Sequence, residues 1–400
     1  MNVCVIGGGA AGMMAALTAA ECGHQVLLLE RQARVGRKLM ATGNGRCNLT
    51  NRHAAPEHYH SEAPDFCAYA LAAFDVETTL AWFADRGLVT VTEDSGRVYP
   101  FSNMAGSVLD VLRYALEHPA IDLHAGCTVT RIRRRGSAFT VETDQGSFPA
   151  DKVVLCAGGA AGSKIGGVMD GYQLAKQLGH HRTALYPSLV QLKTDPTYPR
   201  ALKGVKAEAA VRILRGSEVL AENRGEILFT EYGVSGPAIF EISRAAATGG
   251  EGLTVALDFL PDWDNDTTSG WLRLRRDNAG TRESGTLLSG TLHSRLGQMV
   301  CKAAGFTAQS ADTLTERDLA KIARQLRSFT LDVQGVCGFD QAQVTAGGLR
   351  CDEFDPQTMQ SLLVPGFYAC GEVLDVDGDC GGYNLQWAWS SGRLAGLLMD

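Results

Sequence analysis

Three stretches of this chain carry residues whose types and spacing suit chemistry on a bound dinucleotide. The first is Gly7-x-Gly9-x-x-Gly12, between the apolar run Asn2-Val-Cys-Val-Ile6 and a small-residue run that reaches Cys22. Gly7 permits a tight turn, Gly9 lets a pyrophosphate approach the backbone, and Gly12 permits close packing of helix on strand. The N–H groups at the helix start face the phosphates. Glu30 ends the next apolar run, Gln25-Val-Leu-Leu-Leu-Glu30, eighteen residues after Gly12, where it can accept both hydroxyls of an adenosine ribose. An acid at that position disfavours a 2′-phosphate, hence NADP, but the motif does not separate FAD from NAD.

The second stretch, Arg37 to Asn51, reads RKLMATGNGRCNLTN and brings cations, small residues and amides into one loop. That composition suits a wall around phosphates and a polar heterocycle. The third, GFYACGEVLDVDGDCGGYNLQWAWSSGRLAG at 366–396, runs from a buried strand through a glycine loop into a helix beginning near Asn384. Exposed N–H groups at such a helix start are natural partners for an electron-rich carbonyl, such as the flavin C2 oxygen. Glu372 could hydrogen-bond a ribityl hydroxyl.

The elements that must position these residues follow from periodicity. Residues 2–30 read as a β-α-β unit with buried parallel strands. Residues 31–60 read as loop, 64–86 and 105–117 as helical, and 121–134, 138–143 and 147–156 as strands. A helix over 171–179 stops at Gly179. From about Pro187 to 259 apolar and polar residues alternate, which predicts a small antiparallel β domain. Helical runs around 286–304 and 315–327 predict a small helical subdomain. After residue 343 the glycine-punctuated pieces return, with a closing helix at 384–398. The first domain is therefore interrupted by an insertion and completed by the C-terminus.

Composition narrows the function classes. The chain has 400 residues, 45% hydrophobic and 20% charged, with 46 glycines that cluster without a collagen-like period. Residues 351–400 hold eight acids and one base, which accounts for the whole formal charge of −7. No basic excess is left to grip nucleic acid by charge alone. Eleven irregularly spaced cysteines, without a C-x-x-C, point to free thiols in a reducing, cytoplasmic compartment. Val3 to Ala20 carries no charge, but its glycines and the lack of a basic flank argue for a buried segment, neither leader nor membrane span.

VIGGGAAG…LLLER, GRKLMATGNGRCNLTN, VTAGGL and GFYACGEVLDVDGDCGGYNLQWAWSSG, in that order along the whole chain, resemble the HI0933-like FAD-dependent oxidoreductases, also called BaiN-like or aminoacetone-oxidase-like. The resemblance implies an α/β fold with a glutathione-reductase-like, Rossmann-type FAD domain in two segments, 1–187 and 344–400. It also implies a β-barrel-like inserted domain at 188–259 and 326–343, and a small helical domain at 260–325. FAD would lie along Gly7, Gly9, Ala10, Ala11 and Gly12, then Glu30, Arg31, Arg37, Lys38 and Gly43. The backbone at Val129 and the turn at Ala157 and Gly158 would follow. At the far end come Gly371, Glu372, Gly382, Tyr383, Asn384 and Leu385. Arg46, Asn48 and Tyr383 are expected to line the flavin or substrate pocket. The stretch AAGSKIGGVMDGY at 160–172 departs from the family pattern, keeping Asp170-Gly-Tyr172 but lacking the usual Ser, Pro and Ser-Thr. The departure bears on substrate specificity near this loop.

Other constellations carry less. Cys47 has no second cysteine before Cys67 and reads as a packing or pocket-lining thiol. His58-x-His60 and His180-His181 lack further spaced ligands and read as surface or loop histidines; no metal site is expected. Asp375-Val-Asp377-Gly-Asp379 lacks the distal glutamate of a calcium loop. Gly233-Val-Ser-Gly236 lacks nucleophile-elbow spacing. Trp387 and Trp389 do not share a helix face, so one is expected in the core and the other at the flavin cavity.

The expected activity is hydride transfer through flavin N5. No second G-x-G-x-x-G is present, so a dedicated nicotinamide domain is not supported; the resemblance implies NADH or NADPH as a transient donor docking over the flavin, and the substrate would be an activated, conjugated small molecule. No catalytic acid or base is assigned. Oxidation of a small amine and action on RNA are the alternatives. A plain NAD dehydrogenase and a flavin sensor without turnover are the rivals, separable by the absorption spectrum before and after anaerobic mixing with NADH or NADPH. Neither a membrane nor a nucleic-acid partner is expected, and the sequence does not settle oligomeric state.

Overall fold

Strands that are apolar on both faces must be covered on both, which makes them parallel and central. In the computed structural model, which describes residues 1–399, β1 (Asn2–Ile6) is exposed only at its first residue. It pairs in parallel with β2 (Gln25–Glu30) on one side and with Lys152–Leu155 on the other. Phe367–Ala369 and Ile121–Ala125 complete a five-stranded parallel sheet at its two edges. The chain divides into two compact units, Met1–Tyr186 with Phe339–Asp400, and Pro187–Gly338.

Helix α1 (Ala10–Glu21) is buried at every residue from Ala11 to Ala20. One reason is the closing helix, Tyr383–Gly396. A Cβ on Gly392 would lie 2.5 Å from the Ala11 carbonyl oxygen, and one on Gly396 2.6 Å from that of Ala15. Only glycine lets these two helix backbones approach so closely. Trp387 and Trp389 are 1% and 0% exposed, so both belong to the core and neither opens on a cavity. Each buried indole finds a backbone acceptor: Trp387 Nε1 donates to Gly371 O at 3.2 Å, and Trp389 Nε1 to Leu49 O at 2.9 Å.

Several sequence expectations need correction in this unit. The helical run at 64–86 is two helices, Ala68–Ala73 and Val76–Ala84. The break falls at Asp75, whose side chain leaves the helical pattern to cap the second helix by accepting the Thr78 N–H. Residues 31–60 are not simply loop. They hold the short helix Arg37–Ala41 and the strands Thr50–Asn51 and Tyr59–His60. Thr50–Asn51 joins Arg97–Pro100 and Thr90–Thr92 in a three-stranded antiparallel sheet. The run 121–134 splits into Ile121–Ala125 and Val129–Arg135 at the turn around Gly126.

The second unit is built on a closed barrel of six strands: Leu192–Thr194, Gly233–Ser235, Glu218–Phe229, Lys206–Arg215, Leu253–Asp258 and Phe329–Val336, in ladder order. Alternation puts Val211, Ile213, Ile227, Phe229, Val255 and Leu257 inside. The helix Pro237–Thr248 lies within the stretch read as an antiparallel β domain, and Asn265–Ala279 is a helix of the expected helical domain at 260–325 ahead of the two runs read there. The helix expected over 286–304 is shorter, Ser294–Ala303. Glu316–Arg327 opens with a reciprocal capping box between Thr315 and Asp318.

Candidate functional site

The three glycines of the first motif sit at β1's end and α1's start, and each answers a different steric demand. Gly7 has φ +107° and would, with a Cβ, meet the Cys156 carbonyl; a Cβ on Gly12 would collide with the Gly7 carbonyl oxygen. Gly9 is different. Nothing lies within 4 Å of where its Cβ would be, so the space in front of the helix start is open. No acidic side chain stands in the first turn of α1. The N–H groups of Ala10, Ala11 and Gly12 precede the first intrahelical bond, Met13 N to Gly9 O at 2.9 Å, and are free to hold an anion.

Glu30 is 8% exposed and braces this loop. Its Oε2 accepts the Gly8 N–H at 2.7 Å, and its Oε1 accepts the Gln32 N–H at 2.6 Å. Each carboxylate oxygen keeps a second lone pair for a ribose hydroxyl. The Glu30 carbonyl accepts the Cys127 N–H at 2.9 Å, which brings the start of the Val129–Arg135 strand alongside.

The cations near the cradle are already engaged. Arg31 pairs with Asp170 at 2.8 Å, and Arg37 donates to Gln32 Oε1 at 2.6 Å and to the Lys164 carbonyl at 3.1 Å. Lys38 Nζ lies 2.5 Å from Glu372 Oε2. Arg46 is held by Glu93 at 2.8 Å and Asn103 at 2.5 Å, with its guanidinium 3.8 Å from the Tyr99 ring centroid. Arg37 and Arg31 tie the divergent 160–172 stretch to the second motif. The α1 backbone amides are therefore the open donors for a pyrophosphate, while Arg37, bonded only to neutral acceptors, keeps an uncompensated charge.

At the other end, Glu372 Oε1 accepts the Thr345 N–H at 2.9 Å, while Thr345 Oγ1 accepts the Ala161 N–H at 2.9 Å. Gly158 has φ +71° and open space before it, and Ala157 packs beneath Gly171. Gly371 has φ +75°, donates its N–H to Ser391 Oγ at 3.0 Å, and could not carry a Cβ without meeting Ala11. Gly43, Asn44 and Cys47 all hold positive φ (57°, 56° and 60°), so the second motif is a strained, tightly wound turn. Cys47 is fully buried, and burial pushes its thiol up to about 12, against a pull from Thr42. It is packing, not a reactive thiol.

Gly382, with φ +104°, caps the closing helix, and a Cβ there would strike the Thr50 carbonyl and come within 2.9 Å of Asn48 Oδ1. Asn48 is 8% exposed, and its Oδ1 is a buried acceptor without a donor. A buried acceptor without a partner calls for one. Tyr383 is 7% exposed, and its carbonyl accepts the Tyr59 hydroxyl at 3.0 Å. Asn384 clamps the preceding loop, accepting the Gly378 N–H at 2.9 Å and donating to the Gly378 carbonyl at 2.7 Å. Leu385 packs against the core.

Sequence reasoning missed one cluster. Asp379 accepts from His58 Nδ1 and His60 Nε2, both at 2.9 Å, and the His58 ring stacks on Tyr383 at 4.5 Å. Burial alone would raise the Asp379 pKa; the bonds from His60 and His58 more than offset it and hold the carboxyl below its ordinary value. These histidines are thus not idle surface groups. The only local signal was the H-x-H spacing, and its partner lies more than 300 residues away. His180 and His181 likewise share Glu353, at 2.9 and 2.7 Å, and His180 Nε2 meets Ser361 Oγ at 2.9 Å. Among the described residues no group of three or more His, Cys, Asp or Glu is placed to hold a metal ion, and no helix is long and apolar enough to cross a membrane.

The residues present fit an extended dinucleotide such as FAD. The open helix start and Glu30 suit its pyrophosphate and adenosine ribose. Gly382, at the start of the closing helix, stands beside the orphaned, buried Asn48 oxygen.

A family model described as HI0933-like protein Rossmann domain matches residues 1–398. The chain is 38% identical over 401 residues to a 3-dehydro-bile acid delta(4,6)-reductase of Clostridium scindens, covering 98% of this chain and 97% of that protein. It is 30% identical over 391 residues to a ribosomal RNA dihydrouridine synthase of Escherichia coli, covering 97% of this chain and 95% of that one. Among solved structures, a 3-ketosteroid-delta4-(5alpha)-dehydrogenase from Rhodococcus jostii shares the fold, with TM-score 0.51 and 15% identity, over 100% of this chain and 96% of that chain.

Proposed function

The chain belongs to the HI0933-like family, and from that premise we propose that it is an FAD-dependent oxidoreductase that reduces a carbon–carbon double bond conjugated to a carbonyl. The observation that carries the reading is the two-ended cradle, with open space at Gly9 beside Glu30 and the unpaired, buried Asn48 Oδ1 beside Gly382. FAD, when bound, supplies a hydride from its reduced ring. Glu30 holds the adenosine ribose, and the α1 amides hold the pyrophosphate. Glu372 accepts from a ribityl hydroxyl, and Asn48 Oδ1 accepts from a ring N–H. The amides at the start of the closing helix stabilise negative charge on the heterocycle.

The names of the two relatives support this bond type. A delta(4,6)-reductase of a 3-dehydro-bile acid and a dihydrouridine synthase both saturate a double bond conjugated to a carbonyl. NADH or NADPH is the proposed transient donor, and a small conjugated ketone the substrate. Reduction of uridine in ribosomal RNA is the second reading, favoured by the E. coli relative. All eleven cysteines are free, which suits a reducing, cytoplasmic setting.

The deciding experiment reduces the flavin anaerobically and then offers a 3-oxo-4,6-diene steroid acid, a uridine-bearing ribosomal RNA fragment, or aminoacetone with oxidised flavin. Reoxidation by the steroid dienone supports the first reading, and reoxidation by the RNA alone supports the second. Reaction with aminoacetone alone would overturn both.

A further inference from the structure

Resting on the reductase reading, we propose that His58 is the proton donor of this reaction, with Asp379 and His60 as its positioning and recharging partners. Saturating a conjugated double bond adds a hydride, from a reduced dihydroflavin, to one carbon. It adds a proton to the other carbon, and that proton needs a source near the same site.

The strand Tyr59–His60 lies antiparallel to Asp377–Gly378, with Tyr59 opposite Gly378 and His60 opposite Asp377. That register delivers Asp379 between the two imidazoles, and the Asp379 N–H donates to the His58 carbonyl at 3.0 Å. One nitrogen of each ring is fixed by the carboxylate, His58 Nδ1 and His60 Nε2. The other nitrogens, His58 Nε2 and His60 Nδ1, are not the ones bonded to Asp379. A carboxylate that fixes one nitrogen sets the tautomer and leaves the other to exchange a proton with a ligand.

The direction is set by Tyr383. His58 stacks on its ring at an interplanar angle of 25°, and Tyr383 is the first residue of the closing helix, next to Gly382. Asn384, one residue further, clamps the 378–379 backbone, so the cluster and the helix start move as one piece. The side chains of His58, His60 and Asp379 are 32%, 38% and 31% exposed, which admits solvent to return the proton. The other titratable groups around the cluster are the buried Asp377 opposite His60, Tyr59 and Tyr383 between the rings, Cys380 on the Asp379 loop and Glu57 beside His58.

In the catalytic step the Nε2–H bond of the imidazolium form of His58 breaks as a C–H bond forms on the carbon next to the carbonyl, leaving a neutral ring whose Nδ1–H stays on Asp379. Solvent then reprotonates the ring, with His60 exchanging through Asp379.

The test uses FAD-loaded protein reduced with dithionite and mixed with 2-cyclohexen-1-one between pH 6 and 9. Wild type should reoxidise at a rate that depends on pH. His58→Gln should keep its flavin content yet reoxidise about 100-fold more slowly, with no pH dependence. Asp379→Asn should slow the step less. A second readout needs no turnover. In the FAD-loaded protein carrying 15N-histidine, Asp379→Asn should change the tautomer signals of His58 and His60 together, and cyclohexanone should shift His58 Nε2. A His58→Gln protein with wild-type rate and pH profile overturns the proposal, as does a His58 signal indifferent to both changes. Wild type that is never reoxidised by an enone instead sinks the reductase reading, and the histidine signals still judge the relay.

Discussion

The Glu30 carboxylate accepts the Gly8 N–H at 2.7 Å, so the residue proposed to hold the ribose also braces the glycine loop proposed to receive the phosphates. Removing it acts on both. Glu30→Ala should weaken FAD retention about 10- to 100-fold, the range for losing a hydrogen bond to a charged group. Equilibrium dialysis of the apoprotein against FAD checks this; unchanged affinity would remove Glu30 from the site.

Gly9 and Gly12 separate binding from folding. A Cβ on Gly9 meets nothing within 4 Å, and its φ of −79° suits any residue. Gly9→Ala should therefore leave apoprotein melting within about a degree or two, since nothing is displaced, while FAD affinity falls. Gly12→Ala drives a methyl into the Gly7 carbonyl and should cost about 1–3 kcal/mol in the apoprotein, as overpacking does. Thermal melts beside FAD titrations check both, and equal melting losses in the two variants would contradict the assignment.

Thiol reactivity should be confined to the surface. Cys22 is exposed, whereas Cys47, Cys156 and Cys370 are buried. Burial, with Cys370 3.2 Å away, pushes the Cys156 thiol well above its ordinary value. N-ethylmaleimide at neutral pH should label Cys22 quickly and spare Cys47, Cys156 and Cys370 until the chain unfolds. Fast labelling of Cys47 in the native protein would reopen thiol redox chemistry at this site.

Two partly buried groups among those held below their ordinary values give the stability a pH dependence that can be assigned to single residues. Burial holds the His180 pKa below its ordinary value, despite the opposing pull of Glu353. A group depressed in the folded state is protonated first in the unfolded chain. The His180 contribution is therefore complete above about pH 6.5 and is lost as pH falls below that. Asp379, also depressed, contributes above about pH 4 and loses it as pH falls through its folded value. Urea titrations from pH 7.5 to 3.5 should show two declines, and Asp379→Asn should blunt the lower one. A His180 NMR titration above 6.5 would contradict the first.

Much of the nucleotide half was legible because its determinants are contiguous. Gly7, Gly9, Gly12 and Glu30 lie within one strand–helix–strand, where periodicity and steric demand speak together. The helix Pro237–Thr248 was hidden by alternation on both sides, although Gly236 followed by Pro at the first helical position was the available signal. Asn265–Ala279 was hidden by its polar composition, with Asp264 capping Thr267 as its one cue. The His58–Asp379–His60 cluster was not legible at all, because it exists only once Tyr59–His60 pairs with Asp377–Gly378. Arg46 was expected to line the flavin or substrate pocket; the structure shows its guanidinium paired with Glu93, a partner 47 residues away that no local pattern announces.

The most direct measurement is the visible spectrum of the purified protein, recorded before and after anaerobic NADH or NADPH and again after a conjugated enone. The expected result is the bands of oxidised FAD at near one flavin per chain, their bleaching by a reduced nicotinamide, and their return with the enone. A colourless protein that binds NAD and takes up no FAD would contradict it.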